Sequence, residues 1–214
     1  MKKKIMAVCS GNNDRSPTVE LVGNLYLARI KADGEYQIVS SGTQVNKIVS
    51  GDYPADMILK SLDVARDLGW QDKAFDRFRN DVSTGFFNPE IDVQTRQVLD
   101  IFCRKGREER DAVLKALGYS GAKSYQEQTI ARNDIALVLA VDRANYDETV
   151  KIYSSLGQEA PKIDKLADVA KGRVGGRDYT MGKYGNGDAR SAYQRMIERI
   201  VQDTPKALKR IVGA

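Results

Sequence analysis

Histidine is absent from all 214 residues. That removes the imidazole general base, Ser-His-Asp and Cys-His catalysis, and the commonest transition-metal ligand. Cysteine is scarce: Cys9 and Cys103 cannot build a disulfide scaffold, so a reducing cytoplasm is the expected compartment. No apolar run approaches the roughly 18 residues of a membrane span, so no membrane partner is expected. The opening MKKKIMAVCS holds only the short apolar run 5–9, too little for a signal peptide. Low-complexity tracts and internal repeats are missing as well.

Charge is nearly balanced, with 34 Lys+Arg against 29 Asp+Glu and a net charge of +5. A mildly basic surface suits anionic partners in general. The cationic residues fall into separate groups at 2–4, 104–110 and 206–210, each beside acidic or apolar neighbours. The basic stripe with interleaved aromatics that marks a nucleic-acid surface is missing, and nucleic acid is not expected as a partner.

The chain has 42% hydrophobic residues, and its length fits one α/β domain over 1–214, alone or with an insertion. Residues 5–8 form a short buried-strand candidate. Ser16 and Pro17 then look like the N-cap and first residue of a helix whose stripe is Val19, Val22, Tyr26 and Ile30. Residues 36–39 read as a second strand. Pro54 opens a helix through Ile58, Leu62, Ala65 and Leu68 that stops at Gly69. The apolar run 135–141 predicts a central parallel strand, and 162–166 a weaker one. A last helix carries Ala189, Ala192, Tyr193, Met196, Ile197 and Ile200 on one face, with a kink or restart expected at Thr204-Pro205. Strand followed by helix, about four times over, predicts a doubly wound four-stranded parallel sheet with helices on both faces. Residues 71–124 do not fit that alternation. They hold helical patterns at about 91–103 and 108–117, and are read as a helical insertion, either a cap or a packing subdomain.

The first strand runs into Val8-Cys9-Ser10-Gly11-Asn12-Asn13-Asp14-Arg15-Ser16-Pro17. A loop between a strand end and a helix N-terminus can turn successive N–H groups inward around a tetrahedral anion, where the helix dipole adds positive potential. Arg15 at its far end can bind two oxygens of that anion. Cys9 at its base sits in an electropositive cup that favours thiolate, placed for in-line attack on a phosphoryl group. Cys9 as a small buried hydrophobe is the plain alternative.

At these residues the sequence resembles the low-molecular-weight protein tyrosine phosphatases, whose loop has the form V-C-x-G-N-x-x-R-S-P. Glu20, Ser41-Gly42-Thr43, Val141-Asp142-Arg143-Ala144-Asn145 and the Tyr193 helix resemble further segments of that family, whereas 71–124 has no recognised counterpart. The resemblance implies a hydrolase of phosphomonoesters, on a phosphorylated protein or a small phosphate ester, with inorganic phosphate as product and no metal or organic cofactor. It implies Cys9 as the nucleophile that becomes phosphocysteine and Arg15 as the phosphoryl ligand. Ser10, Gly11, Asn12, Asn13 and Asp14 would form the substrate loop, with Asn12 holding its conformation and Ser16 stabilising the thiolate.

A carboxyl must protonate the leaving oxygen and later activate water. The family supplies it from an Asp-Pro-Tyr loop, and Asp-Pro does not occur here. Asp178 in Arg177-Asp178-Tyr179 is the first candidate, with Asp188, Asp168 and Asp164 as alternatives. Tyr179 or Tyr184 would wall the substrate ring or else pack the loop. Asn13 and Asp14 also depart from the family, which has an apolar residue or Thr and then a second Cys there; Asp14 should oppose anion binding unless its side chain points away. Cys103 reads as core packing, or as a redox partner of Cys9 in thiol-dependent arsenate reduction. A phosphate-binding module without turnover is the remaining reading.

Overall fold

Alternate residues of the first strand, β1 (Lys3–Cys9), face two separate cores. Ile5, Ala7 and Cys9 enter the larger, Met6 and Val8 the smaller. A strand apolar on both faces belongs in the middle of a parallel sheet. In the computed structural model, which describes residues 2–84, 91–123, 134–157, 159–181 and 188–213, β1 is indeed central. The chain continues through α1 (Arg15–Arg29), β2 (Tyr36–Gly42), α2 (Val45–Ser50), α3 (Ala55–Asp67), α4 (Lys73–Ser83) and α5 (Ile91–Ala116). It ends with β3 (Ile135–Ala140), α6 (Arg143–Ser155), β4 (Lys162–Lys165), α7 (Leu166–Lys171) and α8 (Ala189–Val212). The four strands are all parallel, in the order β2-β1-β3-β4. Val19 and Leu27 of α1 and Ile197, Ile200 and Leu208 of α8 cover the larger face, and Tyr153 of α6 packs on the smaller.

Three local readings change. α1 begins at Arg15 with Asp14 in the cap position, two residues earlier than expected, because the Ser16 hydroxyl turns inward and does not cap the helix. α8 runs through Pro205 without restarting; Thr204 Oγ1 donates to the Ile200 carbonyl at 2.7 Å just before it. The two patterns at 91–103 and 108–117 belong to one helix, α5, which passes through Gly106. A glycine inside a helix costs only about 1 kcal/mol and does not by itself stop one. α4 lies in the same segment, capped by Asp72 accepting from the Ala74 N–H at 3.0 Å, with Phe75 and Phe78 buried. Edge-on packing of Trp70 against Phe102, centroids 5.5 Å apart, joins the end of α3 to α5.

Sheet order places Cys9 at the carboxyl end of a central strand, beside Gly42 at the end of β2. The Thr43 N–H donates to the Cys9 carbonyl at 2.9 Å and the Gln44 N–H to the Ser10 carbonyl at 2.8 Å. This approach leaves no room for a side chain: a Cβ on Gly42 would lie 2.6 Å from the Asn12 nitrogen and 2.7 Å from the Ser10 oxygen, both rigid backbone. Gly42→Ala is therefore expected to cost roughly 1–3 kcal/mol, read as a lowered thermal unfolding midpoint; an unchanged midpoint would show that the loop does not rest on β2.

Candidate active site

The loop 9–15 closes over the N-terminus of α1. Asn12 has φ +46, in the left-handed region that Asn tolerates better than most residues, and its amide Nδ2 donates to the Ser40 carbonyl at 3.4 Å. The buried Ser16 hydroxyl lies 3.0 Å from Cys9 Sγ, 3.0 Å from Asn12 Oδ1 and 3.1 Å from the Ser41 carbonyl. With one proton to donate, that hydroxyl can serve the sulfur whenever the sulfur carries the negative charge.

Arg15 Nη1 donates to Asp142 Oδ2 and, at 3.1 Å, to the Tyr179 carbonyl. Burial works against the Arg15 charge, but Cys9 and Asp142 outweigh it and hold the guanidinium protonated more firmly than usual. Asp142 is itself fixed as the cap of α6, where Oδ1 accepts from the Asn145 N–H at 2.8 Å and from Asn145 Nδ2 at 2.7 Å. Asn145 Oδ1 in turn accepts from Ser10 Oγ and Thr43 Oγ1, both at 3.2 Å. The segments after β1, β2 and β3 are thus tied into one polar network. Glu20, behind the loop, accepts from Ser40 Oγ and pairs with Lys123 at 3.0 Å.

Above Cys9 lies a cavity of about 260 Å³. Cys9, Ser10, Gly11, Asn13, Asp14 and Arg15 border it from the loop; Ile48, Tyr53, Leu99, Phe102 and Cys103 wall it from α2, the turn after it and α5. The two cysteines therefore share a cavity, and Cys103 is also buried as core packing requires. Asn12 and Ser16 are buried behind the loop.

The expected aromatic wall at Tyr179 is not found. Its ring is fully buried, its hydroxyl donates to Asp203 at 3.0 Å, and Arg199 stacks on it at 5.0 Å. Burial pushes its phenol well above the usual range, helped by Asp203. Only its carbonyl serves the site, through Arg15. Tyr184 lies outside the described residues.

None of the four candidate acids borders the cavity. Asp178 accepts from Lys165 Nζ at 2.9 Å and from the Arg143 N–H at 3.1 Å, at the start of α6. Asp188 caps α8, where the Ser191 N–H holds its carboxyl below the usual range. Asp168 accepts from the Gly176 N–H, and Asp164 pairs with Lys162 at 2.8 Å. No cluster of His, Cys, Asp and Glu suited to a metal occurs among the described residues.

Asp14 borders the cavity, and its carboxylate lies against α5 and α8. Asn13 Nδ2 donates to it at 3.0 Å, and Arg110, Arg107 and the Tyr193 hydroxyl act on it from the helices. Burial nevertheless raises its carboxyl above the usual range. The arginines of α5 were not anticipated as site residues: 97 positions separate Arg110 from Asn13, and nothing local in the sequence links them.

The sequence matches no protein-family model and no curated protein. Solved structures of similar fold include a protein tyrosine phosphatase of Entamoeba histolytica, 18% identical over 99% of each chain with a TM-score of 0.55. Another is the low-molecular-weight protein tyrosine phosphatase of T. tengcongensis, 16% identical over 97% of this chain and 99% of that one, TM-score 0.55. A third is the Drosophila arginine phosphatase DARP, 13% identical over 97% and 96%, TM-score 0.54.

One consequence of the Asp14 position is measurable. In a Cys9→Ser protein, sulfate keeps its charge while Asp14 titrates above the ordinary carboxylate range. A raised carboxyl is charged above that window and neutral below it, so sulfate should bind severalfold more tightly as pH falls through it. Calorimetric titration checks this, and adding Asp14→Asn should flatten the slope.

From strand order to the loop at the end of β1, the chain has the fold of the low-molecular-weight protein tyrosine phosphatases.

Proposed function

We propose that this chain is a cysteine-dependent phosphomonoester hydrolase, acting on aryl phosphates and above all on phosphotyrosine in proteins. The observation that carries the reading is the Ser16 hydroxyl 3.0 Å from Cys9 Sγ, in a loop that also presents Arg15 to the same cavity. The Cys9 sulfur attacks phosphorus, an S–P bond forms, and the ester P–O bond breaks. Inward N–H groups and Arg15 hold the equatorial oxygens as charge spreads over them. Water then attacks, the S–P bond breaks toward a thiolate steadied by Ser16, and inorganic phosphate leaves. The steps use only this chain's side chains and water.

The cavity wall supports an aromatic leaving group. Tyr53, Phe102, Leu99 and Ile48 offer apolar contact to a ring, which the short alkyl ester of phosphoserine does not use. A guanidinium leaving group would call for a carboxylate in the wall. Among the described residues only Asp14 borders the cavity, and Arg107 and Arg110 already act on it.

Asp178 is the proposed proton donor. What supports it is that its neighbour Tyr179 touches Arg15 through the backbone; to reach the substrate its side chain must leave Lys165 and the Arg143 N–H. Cys103 in the wall also favours a second reading, arsenate reduction, in which its thiolate takes the Cys9 sulfur from an arsenic adduct, leaving arsenite and a disulfide.

Purified protein should release p-nitrophenol from p-nitrophenyl phosphate in the presence of a chelator. Cys9→Ser should abolish this, and phosphotyrosine peptides should be cleaved far faster than phosphoserine ones. Retained turnover in Cys9→Ser would overturn the proposal, whereas arsenate turnover lost in Cys103→Ser would favour the second reading. Asp178→Asn should slow phenyl phosphate by about 10²-fold or more but p-nitrophenyl phosphate much less, because p-nitrophenolate scarcely needs a proton. Equal losses would leave Asp178 a scaffold residue only.

A further inference from the structure

A loop that points its N–H groups at an anion must point its carbonyls away from it, and each outward carbonyl needs a donor. Four of these donors can be named. Thr43 and Gln44, after β2, serve Cys9 and Ser10; Thr18, within α1, serves Asp14 through its N–H at 3.2 Å and its hydroxyl at 2.7 Å. The fourth comes from far away: Arg110 Nη1 of α5 donates to the Asn13 carbonyl at 2.5 Å.

Arg110 has no exposed surface, and its Nε donates to Asp111 Oδ1 at 2.8 Å. Its Nη2 lies 2.8 Å from the same carboxylate oxygen but makes no hydrogen bond, so Asp111 and the Asn13 carbonyl are what offset the cost of burying the charge. One turn earlier, Arg107 Nη1 donates to Asn13 Oδ1 at 3.0 Å. Between the loop and the helix sits Gly106: a Cβ there would lie 2.6 Å from Asn13 Nδ2 and 3.0 Å from Asp14 Oδ1. The Tyr193 hydroxyl closes the arrangement from α8 by donating to the Gly106 carbonyl at 3.3 Å. Asn13 is thus held at its main-chain oxygen and its side-chain amide by one short stretch of α5, and the charges of Arg110 and Arg107 act on the Asp14 carboxylate beside it.

We propose that Arg110, seconded by Arg107, is a positioning residue for the anion loop. Its guanidinium holds the Asn13 carbonyl outward and Asp14 back, so that the adjoining N–H groups and Arg15 converge on the phosphoryl group. The inference rests on the phosphatase reading only in taking the loop as an oxyanion site. Arg110→Met keeps the apolar stem and leaves the carbonyl without its donor. Arg110→Lys keeps the charge but cannot span both the Asn13 carbonyl and Asp111 with a fork of donors.

Tungstate, a tetrahedral oxyanion, is the probe, titrated calorimetrically into the full-length protein well below its unfolding midpoint, with p-nitrophenyl phosphate kinetics run in parallel. Arg110→Met should weaken tungstate binding by about tenfold to a hundredfold, with Arg110→Lys in between. Arg15 and Cys9 are untouched, so kcat/KM should fall in step with tungstate affinity. Tungstate affinity within twofold of wild type in a folded Arg110→Met overturns the proposal. Should that variant not fold, Arg110→Lys decides, a loss of about threefold or more supporting the proposal and an unchanged affinity overturning it. Wild-type protein that binds tungstate without turnover defeats the phosphatase reading alone; wild-type protein that binds no tungstate defeats both.

Discussion

The constraint behind the proposed site is that an anion cradle needs a ring of inward N–H groups, an unfavourable arrangement for a peptide chain on its own. Aligned N–H dipoles repel one another, and the carbonyls they displace must find donors elsewhere. The surrounding architecture answers that demand. β1 ends between β2 and β3, so the loop is met by backbone from the β2–α2 turn, by the Asp142–Asn145 cap of α6, and by α1, which it begins. Asn12 takes up the one left-handed residue of the turn. Gly42 and Gly106 admit backbone and helix at distances a methyl group would forbid.

Charge is arranged with the same economy. Arg15 could fold back on the thiol it is meant to leave free, or wander into solvent. Asp142 and the Tyr179 carbonyl instead fix one of its nitrogens, and the rest of the guanidinium borders the cavity. Asp14 is the unexpected charge. A carboxylate next to an oxyanion is unfavourable, and the arginines of α5 offset it while burial lifts its carboxyl toward the neutral form. With no histidine in the chain, a carboxyl is the natural proton donor for the proposed reaction.

Much of this was legible in the sequence where the signal is local. An apolar strand, a Cys-x5-Arg loop and a Ser-Pro helix start are neighbours in the chain, so their contact needs no long-range information, and the apolar run 135–141 announced a second central strand. What escaped was set by distant partners. Ser16 looks like an N-cap until the sulfur and the Ser41 carbonyl draw its hydroxyl inward. Tyr179 leaves a substrate wall and a packing role equally open in the sequence, and Asp203 and Arg199 claim its ring for packing. The patterns at 91–103 and 108–117 look like two helices, whereas α5 runs through Gly106, where Asn13 and Asp14 leave no room for a Cβ. Arg110 carried no signal at all, since a basic residue in a charged helix reads as a solvated face.

The single helix α5 has a consequence for how this enzyme-like site could be altered. Leu99, Phe102, Cys103, Gly106, Arg107 and Arg110 recur at helical spacing along one stripe, so the lining of the cavity and the brace of the loop share a rod about 16 Å long from first to last. A rigid rod cannot retreat at one end and stay put at the other. Moving α5 to enlarge the cavity would therefore shift Arg107 and Arg110 away from Asn13 as well, whereas Ile48, Tyr53 and Ser61 line the cavity from outside that helix.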